Sequence, residues 1–295
     1  MLMKNTAYNP RLNVNISGGG GIGRYYVAAS YNKDNGNLKM DKRNNFNNNI
    51  NLETYQLRSN INLDLTKTTQ AIVRLSGTFD DYTGPIDGGE AMYKKIMGTN
   101  PVLFPAYYPS SLQPQANHIL FGNATRGVEG AGTSADYTNP YAEMVKGYTD
   151  YARSQMDATI ELKQDLRFIT QGLNVRAMFN TSRYSYYSIS RKYNPYYYAV
   201  GSYDKLTDSY TVAQINEKDN PTEYLDYNEN SKDISSAVYI EAALSYNRQF
   251  DEKHDVGGML VFQRREKLEA NRGDLQKSLP YRNQGLSGRF TYAYD

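Results

Sequence analysis

The sequence contains no cysteine and only two histidines in 295 residues. The absence of cysteine excludes disulfide bonds, thiolate metal sites and a cysteine nucleophile. The histidines, His118 and His254, lie far apart, and neither has a metal-ligating residue at short spacing. No G-x-S-x-G motif is present either. We therefore expect a protein that is not an enzyme and that holds neither a cofactor nor a metal.

Net charge and apolar content are also low. The net charge of +2 at pH 7 argues against a nucleic-acid-binding protein. Apolar residues make up 39% of the chain, below the roughly 45–50% of soluble domains, and the mean hydropathy is −0.72. No stretch approaches the roughly 18 apolar residues of a membrane-spanning helix, which excludes helical spans. The opening MLMKNTAYNPRLN has no apolar core or cleavage site, so we do not interpret it as a signal peptide.

Tyrosine is the residue in excess, with 29 copies beside 9 phenylalanines and no tryptophan. Its ring is apolar and its hydroxyl is polar, so tyrosine suits membrane–water interfaces and sugar-binding surfaces. A preference of tyrosine for strands accounts for part of the excess. The composition alone leaves these three explanations open.

Alternation of apolar and polar residues dominates the stretch 54–82. Leucines and isoleucines occupy odd positions of its first arm, and Asn, Arg and Asp fall between them. The second arm repeats this pattern after only a few residues, which predicts an antiparallel hairpin. Charged residues on the polar face are unusual over a soluble core, but they suit a barrel whose apolar face meets lipid and whose polar face meets a wet lumen.

Further segments repeat this alternation, and the connections between them alternate in length. We expect additional strands at 11–17, 24–33, 150–166, 173–187, 233–250, 256–269 and 284–295. The short connections are 18–23, 66–68, 167–171 and 251–255, and the long ones are 34–51, 83–149, 188–232 and 270–283. Because antiparallel strands place alternate connections on opposite sides, all the long loops lie at one end, as in outer-membrane barrels. A soluble β-sandwich is the alternative, although it has no reason to separate its loops by length.

The predicted fold is therefore all-β: an antiparallel transmembrane β-barrel, present here in part. About nine strands are visible, whereas closed bacterial barrels have an even number, and open sheet edges are not viable in lipid. We expect the chain to be part of a longer one. Within the long loops we expect a short helix at 89–97 and a small hairpin formed by 196–203 and 209–215. Residues 34–51 form a polar loop with a low-complexity asparagine run.

Two further patterns have ordinary explanations. Residues 18–23 match G-x-G-x-x-G, but a tyrosine-rich strand follows where a dinucleotide site needs a helix, so we predict a hairpin turn. Asp80, Asp81, Asp87 and Glu90 cluster after a strand. Their oxygens could bind Ca²⁺, and a solvated acidic loop is the alternative that we favour.

Several stretches resemble the starch-utilisation-system C-type (SusC-like) TonB-dependent outer-membrane transporters of Bacteroidetes. The most specific is LPYRNQGLSGR at 279–289. The others are NVNISGGGG…RYYVAASYNKDNG, YQLRSNINLDLTK, MYKKIMGTNPVLFPAYYP, LRFITQGLNVRAMF and YIEAALSYNRQFDEKHDVGGMLVFQRRE. They span nearly the whole chain. The resemblance implies that residues 1–295 are the early part of a 22-stranded TonB-dependent receptor barrel, with the signal peptide, plug domain and C-terminal strands outside this chain.

The same resemblance implies import across the outer membrane. The implied partners are a SusD-like surface lipoprotein lid, the TonB complex through parts absent from this chain, outer-membrane lipid, and an oligosaccharide or peptide ligand. We expect glycan uptake. The alternatives are a TonB-dependent receptor for peptide, siderophore or vitamin, a passive porin, and a soluble carbohydrate-binding β protein.

Aromatic residues of the two longest loops are the candidate ligand contacts. Sugars stack their C–H faces on aromatic rings and leave their hydroxyls to Asn, Asp and Arg. Packing of the loops, or an aromatic girdle, is the alternative role for these rings. The Pro-rich segment 101–109 is also a candidate contact for the lid lipoprotein. The candidate residues are Phe104, Tyr107, Tyr108, Tyr193, Tyr196, Tyr197 and Tyr198.

Overall fold

A computed structural model describes residues 2–127, 134–271 and 273–294. The strands are β1 Arg11–Gly20, β2 Gly23–Asn35, β3 Asn51–Asp64, β4 Thr69–Gly84, β5 Phe121–Gly122, β6 Thr125–Gly127, β7 Ser134–Asp136, β8 Gly147–Asp165, β9 Leu173–Lys192, β10 Tyr197–Asp204, β11 Ser209–Gln214, β12 Asp226–Phe250, β13 His254–Glu269 and β14 Tyr281–Tyr294. The helices are α1 Gly88–Gly98, α2 Pro140–Val145 and α3 Leu275–Ser278, with 3₁₀ turns at Ser110–Leu112 and Glu217–Asp219. No helix among these residues has the length and apolar character to cross a membrane.

The long strands form one antiparallel sheet, which we call the wall. It has nine strands in the order β1-β2-β3-β4-β8-β9-β12-β13-β14. Each strand pairs with the next long strand along the chain, so the wall is an uninterrupted meander, and the prediction of about nine strands is confirmed. The predicted helix in the first long loop is present as α1, and the predicted small hairpin is present as β10 and β11.

The register of the wall separates apolar from polar side chains, row by row. One row crosses the middle of the sheet through Ile61, Val73, Ile160, Phe179 and Ile240. The next row, on the opposite face, runs through Asn60, Arg74, Thr159, Asn180, Tyr239, Arg265 and Asn283. Because side chains alternate faces along a strand, the face that carries the first row is apolar there from β3 to β12 and suits lipid, although the row continues to Arg264 and Gln284 in β13 and β14. The other face is polar and suits a lumen.

Short and long connections alternate as the sequence predicts. The short turns cover 21–22, 65–68, 166–172 and 251–253. The turn at 21–22 closes directly between paired Gly20 and Gly23, so the glycine-rich stretch is a hairpin turn. The long loops cover 36–50, 85–146, 193–225 and 270–280, and the antiparallel order places all of them at the other end of the wall.

Several strands extend further toward the long loops than the alternation predicts. β9 continues to Lys192 and β12 already begins at Asp226, so the loop predicted at 188–232 is shorter. Polar pairs hold this upper part together: the hydroxyls of Thr149 and Ser190 are 2.9 Å apart, and the Asn230 amide donates to Ser190 Oγ at 2.6 Å. The added segments, 188–192 and 226–232, are mostly polar on both faces, so the sequence shows no alternation of apolar and polar residues there.

The arrangement of the loops predicts which residues are reached from outside the cell. Single cysteines at Ser110 and Asp204, both exposed in the long loops, should react with an impermeant maleimide on intact cells that make the full-length protein. A cysteine at Lys253, in a short turn at the other end, is the matched control and should react only after the outer membrane is broken. Since the chain has no cysteine of its own, the background is low. The reverse labelling pattern would invert the topology.

A candidate ligand-binding cleft in the loop cap

The loops 36–50, 85–146 and 193–225 pack together at one end of the wall, and we call their described residues the loop cap. Its main apolar core comprises Leu38, Met92, Phe121, Tyr141, Ala142, Met144 and Val145. A second cluster comprises Tyr108, Leu120, Tyr198 and Val212. Both clusters draw side chains from more than one loop, so the three loops form one packed body.

Helix α2 is fixed at its start by Asn139, whose side chain is buried. The Asn139 Oδ1 accepts from the amides of Tyr141 and Ala142, at 2.9 and 3.2 Å, which is the N-cap arrangement. Pro140 follows at the first helical position, where its fixed φ is favourable. The Asn139 Nδ2 donates to the carbonyls of Ala106 and Gly122, at 2.9 and 2.7 Å. One amide side chain therefore joins the helix to two other segments.

The asparagine run of the first long loop has a structural role. The Asn48 amide donates to the Met144 carbonyl at 2.7 Å, and the Asn44 amide donates to the Val145 carbonyl at 3.1 Å. These carbonyls belong to the last turn of α2, where intrahelical partners are missing. Asn49 bonds within its own loop, accepting from the Leu38 amide at 3.0 Å. The polar loop 36–50 is thus held against α2 by amide side chains.

A cleft of about 630 Å³ opens on the loop cap. Tyrosine rings form much of its lining, and small neutral polar side chains surround them. The aromatic, polar and charged side chains of the lining include Arg43, Asn44, Tyr107, Tyr108, Ser110, Ser111, Asn117, His118, Tyr193, Tyr196, Thr222 and Glu223. Aromatic faces beside hydrogen-bonding groups are the usual composition of a small-molecule site.

One wall of the cleft is organised around Arg43. Its guanidinium lies 4.3 Å from the centroid of the Tyr107 ring, a cation–π contact. The same guanidinium donates to both carboxylate oxygens of Asp41, at 3.0 and 2.8 Å, and also donates to the hydroxyl of Tyr141. The hydrogen bonds from Arg43 hold the pKa of Asp41 well below its usual range. Burial raises the pKa of Tyr193 to about 12, because the charged phenolate is disfavoured away from water.

The opposite wall is organised around His118. Its imidazole stacks on the Tyr196 ring with centroids 3.7 Å apart and planes 14° from parallel. Its Nδ1 lies 3.1 Å from Glu223 Oε1, and its Nε2 lies 2.9 Å from the Tyr198 hydroxyl. These three contacts fix the orientation of the imidazole, and the stacking fixes the Tyr196 ring beside it.

The structure brings most of the candidate residues together. Tyr107, Tyr108, Tyr193 and Tyr196 line the cleft. Tyr198 lies behind it, with 4% of its surface exposed, and reaches His118 through its hydroxyl. The other two lie outside the lining: Phe104 is buried against Tyr137, with centroids 6.1 Å apart, and Tyr197 packs against Phe121 at 6.4 Å.

Three cleft residues were not identified from the sequence as members of a site. Arg43 comes from the first long loop, His118 from the second and Glu223 from the third. They are remote in sequence, and only the packing of the loops brings them together. The sequence shows His118 without a neighbour of matching chemistry, because its partners Tyr196 and Glu223 lie far along the chain.

Three of the four acidic residues of the predicted cluster are paired with cations. Asp80 is buried and accepts from the Nε of Arg153 at 2.7 Å. Asp87 pairs with Lys95 at 2.5 Å, and Glu90 pairs with Lys94 at 2.7 Å on the surface of α1. Among the described residues no group of three or more His, Cys, Asp or Glu could hold a metal ion. Asp80, Asp87 and Glu90 therefore engage Arg153, Lys95 and Lys94.

The lumen-suited face of the wall carries ionic and aromatic side chains below the loop cap. Glu161, with 5% of its surface exposed, lies 3.2 Å from Arg74, 3.4 Å from Lys163 and 3.8 Å from Arg176. Nearer the long loops, the rings of Tyr82 and Tyr151 stack with centroids 4.5 Å apart, and Tyr186 follows at 5.6 Å. The polar face thus bears paired charges and tyrosines, as a wet channel wall does.

Comparison with known proteins finds similarity at the level of structure. No family model and no curated protein sequence matches the chain significantly. A solved structure of the RagAB peptide transporter is similar with a TM-score of 0.53 and 15% identity, over 100% of this chain and 31% of that one. The RagAB peptide importer in its closed-closed state is similar with a TM-score of 0.54 and 16% identity, over 100% and 31% of the two chains. The chain thus spans about a third of the length of these proteins, and at this identity the likeness concerns the fold: an antiparallel barrel wall of the outer-membrane type.

Proposed function

We propose that this chain is the early part of the barrel of a SusC-like, TonB-dependent importer that takes up oligosaccharides across the outer membrane. The observation that carries the proposal is the cleft. Tyrosine rings and neutral hydrogen-bonding groups converge there, at the end of the wall where all the long loops lie. The fold shared with the RagAB peptide transporter and the sequence resemblance to SusC-like proteins support the import role.

The chemistry of the cleft suits a sugar ligand. Pyranose rings present C–H faces that pack on tyrosine, and Tyr107, with 46% of its surface exposed, offers such a face. The amides of Asn44 and Asn117 and the hydroxyls of Ser110 and Ser111 can bond the sugar hydroxyls around these rings. The stacking on His118 and the contact with Arg43 hold two of the rings in place before a ligand arrives.

The proposed partners follow the resemblance. A SusD-like surface lipoprotein would cover the loop cap, and the segment 101–109 is one proposed contact because its Val102 and Leu103 are exposed apolar side chains on the cap. The TonB complex would act through parts of the protein outside this chain. The apolar face of the wall would meet outer-membrane lipid.

A peptide is the second candidate ligand. The similar solved structures are of a peptide transporter, and tyrosines and amides also bind extended peptide backbones. The neutral polar lining leads us to place oligosaccharides first.

Replacing Tyr196 by alanine tests the assignment of the cleft. In the purified full-length protein we expect oligosaccharide binding to weaken about tenfold, because a central aromatic contact contributes roughly 1–2 kcal/mol. Calorimetric titration with a set of oligosaccharides and peptides measures it. Tyr203→Ala removes a tyrosine of the β10–β11 hairpin that lies outside the cleft lining, and it should bind as the wild type does. If both variants bind equally well, the ligand lies elsewhere; if only peptides bind, the second candidate is correct.

A further inference from the structure

We propose that the cleft selects uncharged ligands: a neutral oligosaccharide and not one that carries carboxylates or sulfates. This inference rests on the proposed function and concerns the same site. Its basis is that, among the described residues, the arginine that lines the cleft is already paired with a carboxylate, while the lining carboxylate of Glu223 adds a negative charge.

The positive charge that lines the cleft is paired with a carboxylate. Arg43 is the arginine of the lining. It donates to both oxygens of Asp41, at 3.0 and 2.8 Å, and its planar face lies on the Tyr107 ring. A paired guanidinium of this kind presents little net positive charge to an incoming anion.

The carboxylate of the cleft contacts an imidazole. Glu223 is the carboxylate of the lining, and its Oε1 lies 3.1 Å from His118 Nδ1. The other imidazole nitrogen is engaged by the Tyr198 hydroxyl at 2.9 Å. His118 therefore has neither ring nitrogen open to a new anionic group without breaking an existing contact.

What remains of the polar lining is neutral. Asn44, Ser110, Ser111, Asn117 and Thr222 supply amides and hydroxyls, and tyrosine rings supply the apolar faces. A charged ligand loses its hydration on entering such a site and regains no opposite charge, so its entry is unfavourable. A neutral sugar exchanges water for equivalent hydrogen bonds and gains the stacking contacts.

The test compares two ligands that differ only in charge. The full-length protein in detergent is titrated calorimetrically with a neutral gluco-oligosaccharide and with its counterpart of equal length and linkage oxidised to the uronic acid at C6. We expect the neutral ligand to bind at least tenfold more tightly. Asp41→Asn keeps an oxygen for Arg43 but leaves the guanidinium charge unmatched, and it should raise the ratio of the affinity for the acidic ligand to that for the neutral ligand about tenfold.

The control variant removes one carboxylate charge at a position away from the cleft. Glu90→Gln leaves Lys94 unpaired on the exposed surface of α1, away from the cleft, and it should change the affinity for neither ligand. Glu223→Gln, which removes the carboxylate from the opposite wall, is a second variant and should act in the same direction as Asp41→Asn.

A capped neutral peptide and an acidic peptide of equal length complete the experiment. Equal or tighter binding of the acidic sugar by the wild type overturns the inference and leaves oligosaccharide import intact. A preference for the neutral peptide, with no sugar bound, supports charge selection and overturns the assignment of an oligosaccharide as the ligand. A preference for the acidic peptide, or no binding of any of the four probes, overturns both.

Discussion

Replacing Asn139 by alanine in the full-length protein should loosen the loop cap by roughly 3–5 kcal/mol and abolish ligand binding. The change removes the N-cap of α2 and leaves the amides of Tyr141 and Ala142 and the carbonyls of Ala106 and Gly122 without this partner. Each buried polar group left unpaired costs about 1–3 kcal/mol, and relaxation recovers part of that loss. Tyr107 and Phe121 lie next to these carbonyls in the chain, so the cleft lining moves with them.

Proteolysis of intact cells measures this effect. The variant should be cut within 85–146 much faster than the wild type, and the barrel should still resist heat and detergent on electrophoresis, because the wall does not depend on Asn139. Asn100→Ala is the matched control. Asn100 is exposed, and its side chain accepts from the amide of Val102 within its own turn. Equal cleavage of both variants would show that the cap is not held by Asn139.

Replacing Val73 by arginine should destabilise the barrel by about 2–4 kcal/mol, the cost of a cation on the lipid face near the bilayer midplane. Val73 lies in the apolar row between Ile61 and Ile160. Denaturant unfolding of the full-length protein in phospholipid vesicles, followed by circular dichroism, measures the loss.

The neighbouring Arg74→Gln is the control on the polar face. It removes the contact between Arg74 and Glu161. Lys163 and Arg176 still lie 3.4 and 3.8 Å from Glu161, so the carboxylate keeps cationic partners and the cost should be small. Comparable losses from the two substitutions would contradict the assignment of the two faces.

The wall could be predicted from the sequence because it obeys a local rule. In a strand with lipid on one side and water on the other, every second residue is apolar, and Ile61 and Val73 follow this rule on both arms of the first predicted hairpin. Loop length then fixes which end each connection occupies. The rule fails where it no longer applies: the upper parts of β9 and β12 are mostly polar on both faces, apart from Ile189 and Tyr227, so they were predicted as loop.

The loop cap could be predicted only in part. Aromatic richness identified Tyr107, Tyr108, Tyr193 and Tyr196, which do meet in one cleft. Arg43, which contacts the Tyr107 ring, and the asparagines of the first loop, which hold α2, carried no local signal. An asparagine run reads only as low complexity in the sequence, and the carbonyls at the end of α2 give Asn44 and Asn48 their role. Such pairings arise between segments remote in sequence, and no periodicity records them.

The length of β12 determines how far the cleft lies from the hydrocarbon core of the bilayer. This strand has 25 residues, whereas a tilted strand crosses the bilayer core in about 9–11. At about 3.4 Å per residue and a tilt of about 40°, more than half of its height lies outside the hydrocarbon, on the order of 40 Å. In an outer membrane this rise would carry the cleft past the lipid headgroups.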